Sequence, residues 1–141
     1  MAVGYSGTPQ ARKLGIKPGQ RICLDEPPPG WHLTDPPSGL AHVHAPEPAD
    51  LIISFFAAAE ELPRRLPDLV RRIYPSGALW IAWPRRAAGH DSNITGDVVR
   101  EHALPLGVVD VKVAAIDDDW SGHRVVWRLA NRSEQAAKGA P

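Results

Sequence analysis

Gly77-Ala-Leu-Trp-Ile-Ala-Trp-Pro-Arg-Arg86 opens the stretch, Gly77 to Leu129, whose order of elements decides the fold. The apolar run Ala78 to Trp83 reads as a strand broken at Pro84, since proline has no N–H to give a sheet ladder. Thr95 then caps a helix with Val98, Val99, Ala103 and Leu106 turned inward, and Pro105-Leu-Gly107 ends it. Val108 to Ile116 reads as a long strand and His123 to Leu129 as another. They are joined through Asp117-Asp-Asp-Trp-Ser-Gly122, with Gly122 at the tight point of a hairpin.

Working upstream, Leu62, Leu66, Leu69, Val70 and Ile73 recur at helical spacing, with Arg64, Arg65, Asp68, Arg71 and Arg72 assigned to the solvent side. Pro63 suits the first turn of that helix, whereas Pro67 must cost a backbone bond. Leu51-Ile-Ile-Ser-Phe-Phe56 is almost wholly apolar, as expected of a central strand covered on both faces. Strand, helix and strand in that succession imply a right-handed crossover onto a parallel neighbour. The class is α/β: one mostly parallel sheet of about six strands ending in an antiparallel hairpin, with helices on both faces.

The first third is less regular. Thr8-Pro9 starts a short helix that ends at Leu14-Gly15, with Gly15 as a left-handed cap and Ile16 folding back. Lys17-Pro-Gly-Gln20 is a turn, Arg21 to Asp25 a strand, residues 27 to 38 a loop, and Leu40 to His44 a short edge strand closed by Pro46 and Pro48. Of 15 prolines, seven lie from Pro27 to Pro48, so that segment is extended or turning chain. We expect one domain over residues 8–129, a flexible tail over 1–7 and a disordered tail over 130–141.

With 16 basic and 16 acidic residues the formal net charge is zero, which argues against a dedicated nucleic-acid binder. The distribution is uneven: residues 1 to 21 hold Arg12, Lys13, Lys17 and Arg21 and no carboxylate, a basic arm. The single cysteine, Cys23, lies in an apolar run and excludes an internal disulfide framework. No apolar run approaches the ~18 residues that span a bilayer, and no signal-peptide pattern is readable. A cytoplasmic location, with no membrane contact, is the expectation.

Leu14-Gly-Ile-Lys-Pro-Gly-Gln-Arg-Ile-Cys-Leu-Asp25 resembles the run-in to the first strand of class I S-adenosylmethionine-dependent methyltransferases, and the later element order is similar to that Rossmann-like fold. The resemblance implies a sheet order of 2-1-3-4-6-5. A closer resemblance, to a family of small bacterial proteins of unknown function, covers most of the chain. It is carried by Gly4-Tyr-Ser-Gly-Thr-Pro9, Lys13-Leu-Gly-Ile-Lys17, Leu79-Trp-Ile-Ala-Trp-Pro84, Val98-Val-Arg-Glu101, Ala103-Leu-Pro-Leu-Gly107 and Trp120-Ser-Gly122. It implies no activity. Gly96, where an acidic residue is expected in the first helical turn, and the Pro27 to Pro29 run are local departures from it. Methyltransferases hold their cofactor on a glycine-rich loop that lets backbone approach the ligand ahead of a helix. Here Pro27, Pro28 and Pro29 follow Asp25-Glu26, and no helix is readable between the first two strands. The cofactor site is therefore expected to be absent or rebuilt, and no cofactor is assigned.

Ligands of open α/β sheets sit beyond the carboxyl ends of the strands. The candidates there are Asp25 and Glu26, for a hydroxyl or an amine, and Trp83, Arg85 and Arg86, as a stacking surface and a clamp for a carboxylate or phosphate. Against this stands a solvated rim with Trp83 in the core. Trp120 and Ser121 are candidates for meeting a protein partner. His42 and His44 share a strand face but lack a third ligand, and Asp117 to Asp119 lack calcium-loop spacing, so no metal is assigned. Ser54 and Ser121 lack a nucleophile-elbow sequence, so no catalytic residue is assigned. Three readings follow. The first is a non-catalytic binding or regulatory module for an anionic small molecule or a protein partner, with a degenerate nucleotide-type pocket. The second is a methyltransferase-like enzyme with a rebuilt cofactor loop. The third is a scaffold acting through the basic arm and the Trp120 turn. Oligomeric state stays open.

Overall fold

The computed structural model describes residues 9–132. The expected Thr8 cap, the tail over 1–7 and most of the tail from 130 onward lie outside them.

The elements are α1 (Gln10–Leu14), β1 (Arg21–Asp25), β2 (Ala41–His42), β3 (Leu51–Phe55), α2 (Glu61–Arg72), β4 (Ala78–Pro84), α3 (Gly96–Ala103), β5 (Val108–Ala115) and β6 (Trp120–Trp127). They build one six-stranded sheet in the order β2-β1-β3-β4-β6-β5. The β2–β1, β1–β3 and β3–β4 pairs are parallel; β6 runs antiparallel to both β4 and β5. This is the order implied by the methyltransferase resemblance.

All five residues of β3 are buried, as the unbroken apolar run predicts for a strand with layers on both sides. Alternate residues of the central strands feed two cores. Ile52, Leu79, Ile81 and Val125 meet Leu62, Leu66, Leu69 and Val70 of α2 and Val99 and Ala103 of α3. Ile22, Leu51, Ile53, Trp80 and Ala82 meet Leu14 of α1 together with Leu33 and Ile116. The second face is thus covered by a five-residue helix and by irregular chain. Each buried aliphatic side chain contributes about 1.5–3 kcal/mol. Two of the three buried indoles pair their donors with main-chain carbonyls: Trp80 Nε1 donates to Leu14 O at 2.8 Å and Trp127 Nε1 to Val70 O at 2.7 Å.

Local signals explain the ends. Gly15 takes φ +79° after α1, and the Ile16 N–H returns to Ala11 O at 2.8 Å. The Thr95 hydroxyl accepts from the Val98 N–H at 3.2 Å, the expected cap of α3. Pro67 lies within α2, so one rung of its ladder is missing.

Four expectations need correction. The edge strand β2 has two residues rather than five. Strand β6 begins at Trp120 rather than His123, so Gly122 is not a turn residue. It lies inside the strand opposite Ala82, where a Cβ would fall 2.7 Å from Ile116 Cδ1 and 2.9 Å from Trp80 Cε3. Its smallness makes room for the indole of Trp80. Arg65 and Arg72 do not face solvent; both are buried, Arg72 with Nε on Glu47 O at 2.8 Å. Past Trp127 the chain forms a 3-10 turn over Leu129–Asn131, and Arg132 Nε returns to Trp127 O at 2.7 Å.

Candidate functional site

The carboxyl ends of β1, β3 and β4 converge on one edge of the sheet, where the topology places a ligand. At its centre is a charge cluster that Arg65 supplies from the second turn of α2. Its Nη2 meets Asp25 Oδ2 at 2.5 Å and Ser54 Oγ at 3.0 Å; its Nη1 donates to Phe55 O at 2.8 Å and Glu61 Oε1 at 2.7 Å. Ser54 also donates to Asp25 Oδ2 at 2.6 Å, and the guanidinium lies 4.0 Å above the Phe56 ring. A fully hydrogen-bonded charge is the form in which an arginine can be buried. Asp25 is therefore engaged inside the protein rather than offered to a ligand. Glu26, next along, is held at φ +52°, costly for a non-glycine residue, and stands exposed 3.6 Å from Arg65 Nε.

The proline run then turns the chain across the second face of the sheet, and Trp31 lands on it. The Trp31, Phe55 and Trp120 rings form an edge-to-face row, with centroids 4.9 and 5.0 Å apart. Trp31 Nε1 donates to Asp117 Oδ2 at 2.8 Å, while Asp117 Oδ1 accepts from the N–H groups of Asp119 and Trp120 at 2.8 and 2.9 Å. A cleft of about 450 Å³ lies between the two segments, with Pro28, Pro29 and Trp31 on one side. Pro84, His90 and Trp120 line the other, with Asp117 and Asp119 at the rim. His90 Nε2 lies 2.9 Å from Asp119 Oδ1.

A wider cleft of about 800 Å³ separates the loops after β3 and β4, lined by Ala57, Ala58, Arg86, His90 and Asn93 among others. The backbone donors that follow β3 there are already used. Glu61 Oε2 accepts from the Ala57 and Ala58 N–H groups, and Asn93 Oδ1 from that of Ala59.

The expected clamp does not assemble. Arg85 Nη1 donates to Asp118 O at 3.0 Å and its N–H to Asp119 O at 2.8 Å, tying it to the β5–β6 turn. Arg86 Nη2 instead reaches Ser92 O at 3.3 Å, in its own loop. Trp83 is buried on the α2–α3 side, its ring 5.1 Å from that of His123, so it presents no face to a ligand. Of the two readings of Trp83, the core one describes it. Ser121 sits opposite Trp83 in the β4–β6 register and Trp120 opposite Pro84, both within the strand rather than in the turn. Burial holds the pKa of His123 below its ordinary value; Asp110 opposes the shift. Cys23 is buried. Among the described residues no group of three His, Cys, Asp or Glu side chains is placed to hold a metal ion, and no helix is long and apolar enough to cross a membrane.

No family model matches this chain, and no curated protein matches it in sequence. Solved structures do. A ribosomal protein L11 methylase from Lactobacillus delbrueckii subsp. bulgaricus superposes with a TM-score of 0.55 at 10% identity, over 84% of this chain and 75% of that one. Aeropyrum pernix fibrillarin, in complex with S-adenosyl-L-methionine, gives 0.52 at 14% identity over 83% and 73%. A possible exported protein from Bordetella parapertussis gives 0.51 at 17% identity over 82% and 65%. The fold is a methyltransferase-like α/β sheet.

The cofactor cradle of that fold does not fit the residues after β1. Pro27, Pro28 and Pro29 have no N–H groups to offer, the Asp25 carboxylate is bound to Arg65 and Ser54, and β1 passes to β2 without a helix. The Trp31–Trp120 cleft beside it was not readable in the sequence. Trp31 and Asp117 are 86 residues apart, and only the crossing of the proline loop brings them together.

Proposed function

We propose that this protein binds a small molecule in the cleft between the Pro28–Trp31 loop and the β5–β6 turn, a pocket rebuilt beside the closed cofactor cradle of a methyltransferase-like sheet. The observation that carries this is the chemistry of the walls. Indole and pyrrolidine surfaces from Trp31, Trp120, Pro28, Pro29 and Pro84 suit a flat or apolar body, and the exposed Asp119 carboxylate beside them suits a positive charge. The ligand class is an organic cation carrying a ring.

S-adenosylmethionine has that make-up, an adenine ring joined to a sulfonium and an amine. The likeness to solved methyltransferases, one of them holding that compound, supports testing it first. A methyltransferase-type protein with a rebuilt loop is accordingly favoured over a module that clamps an anion. The anion reading depended on Arg85 and Arg86 acting together, and Arg85 is spent on the turn. The scaffold reading through the Trp120 turn loses ground because Trp120 packs on Phe55.

The test is calorimetric titration with S-adenosylmethionine and with S-adenosylhomocysteine, which lacks the sulfonium charge. Saturable binding at roughly micromolar Kd, about −8 kcal/mol, is expected for the charged compound. Asp119→Asn should weaken it more than it weakens the neutral one. Absence of heat from both at millimolar concentration would retire the S-adenosyl ligand. If ring-bearing amines were silent as well, the cleft itself would be retired as a site.

A further inference from the structure

We propose that the groove between α1 and the β5 edge docks an extended acidic peptide from a partner protein, which adds to β5 as a further strand. The groove lies apart from the carboxyl-edge cleft and shares none of its lining residues.

Charge is the first observation. Two depressions, of about 380 and 280 Å³, share Arg12 and Gly15 as walls. Lys17 adds to the first, and Lys13, Lys112 and Arg124 to the second; Asp35 is the one carboxylate lining either. A chain of zero formal net charge thus gathers five cations around two depressions that meet at Arg12 and Gly15, and four of them, Arg12, Lys13, Lys112 and Arg124, line the one that borders β5. The basic arm read in the sequence supplies three of the five, and the hairpin 100 residues later supplies the other two. The β5–β6 register sets Lys112 beside Arg124, and adjacent like charges on a sheet repel. Lys112 Nζ donates to Lys13 O at 2.8 Å, and Arg124 Nε is buried with no hydrogen-bond partner. Burial, and then Lys112, hold the Lys13 pKa below its ordinary value against the opposing pull of Asp117 and Asp118, and burial does the same for Arg124. An anion would offset the repulsion between Lys112 and Arg124 and offer the Arg124 guanidinium a partner.

The second observation is the strand itself. Among the described residues β5 pairs with β6 alone, and its other edge carries backbone groups outside the ladder. Val111 lines the groove at 51% exposure and Val113 stands at 63%. Lys112 and the irregularity at Asp110/Lys112 are devices that discourage pairing with a neutral strand or with a second copy of this chain, whose own Lys112 would be repelled. An acidic strand turns the same charges into attraction, and its main chain and β-branched side chains satisfy the edge and the valines. No aromatic ring lines either depression, so single-stranded nucleic acid would find no stacking platform.

The experiment is a titration of ¹⁵N-labelled protein, followed by amide shifts, with a synthetic peptide of alternating Glu and Val. Controls are the same peptide with Lys for Glu and an oligodeoxynucleotide of matched charge. Saturable shifts confined to β5 and α1 are expected. Lys112→Glu should weaken binding roughly tenfold or more and Arg12→Gln less, with added salt acting in the same direction. Equal binding of the Lys peptide, an unchanged affinity in both variants, or shifts scattered away from β5 would overturn the docking site. Tighter binding of the oligonucleotide in the same groove would overturn the peptide class.

Discussion

Replacing Arg65 by methionine probes the cluster that closes the cradle. The arginine side chain is 7% exposed and makes four hydrogen bonds within 3.0 Å, to Asp25, Ser54, Phe55 O and Glu61. Methionine keeps much of the apolar stem but leaves Asp25, itself only 22% exposed, without its cation. Breaking a buried pair from one side costs about 3–5 kcal/mol. Residual hydration of Asp25 places the expected loss near the lower end, about 3 kcal/mol, or roughly a 10 °C fall in Tm for a unit of this size. Urea unfolding of wild type, Arg65→Met, Asp25→Asn and the double variant, followed by tryptophan fluorescence, gives midpoints at constant slope. The double variant should recover about 1–2 kcal/mol relative to the sum of the single losses, because the stranded charge is gone. A loss below about 1 kcal/mol for Arg65→Met, or strict additivity in the double variant, refutes the idea that Arg65 is there to hold Asp25.

Two further outcomes follow from packing and charge. Gly122→Ala should lower stability by about 1–3 kcal/mol in the same urea assay, because its Cβ would meet Ile116 and Trp80 at 2.7 and 2.9 Å; an unchanged midpoint would show that the strand can shift. Burial of His123 lowers its folded pKa below the ordinary histidine value of about 6.5, so the unfolded chain binds the proton more readily. Stability should therefore fall as pH drops through 6.5, down to the folded pKa. Stability curves from pH 7.5 to 5 should be steeper for wild type than for His123→Gln, and parallel curves would remove His123 as the source.

Much of the fold was legible because its signals are local. The apolar run of β3 announces a central strand, Gly15 and Thr95 mark helix ends by their own chemistry, and the strand–helix–strand succession carries the topology. The errors have a common cause: residue type was read without its partners. Arg65 and Arg72 were placed outward because they are charged, although 62, 65, 69 and 72 fall on one helix face. Two carbonyls, Phe55 O and Glu47 O, and one carboxylate, Asp25, draw them in. Gly122 was read as a turn glycine, whereas its role is a contact with Trp80 across the sheet, a pairing that no local window contains. At the site, Asp25 was correctly placed at the carboxyl edge, but its availability depended on a side chain 40 residues away.

The covering of the second sheet face has a bearing on how this scaffold tolerates change in length. Between β1 and β2 the chain is pinned at separate points: Trp31 and Leu33 on the core, the Thr34 N–H on Gln10 Oε1, and Ser38 O on the Gly19 N–H. From Thr34 to Pro36 the side chains stand in solvent. Closing a longer loop between fixed anchors costs only about 0.6 kcal/mol for each doubling of its length. Additional residues entering there would leave the Trp31 wall and the six strands undisturbed. The proline-rich crossing is thus a place where this sheet can gain length, and with it further covering for its second face, without refolding the rest.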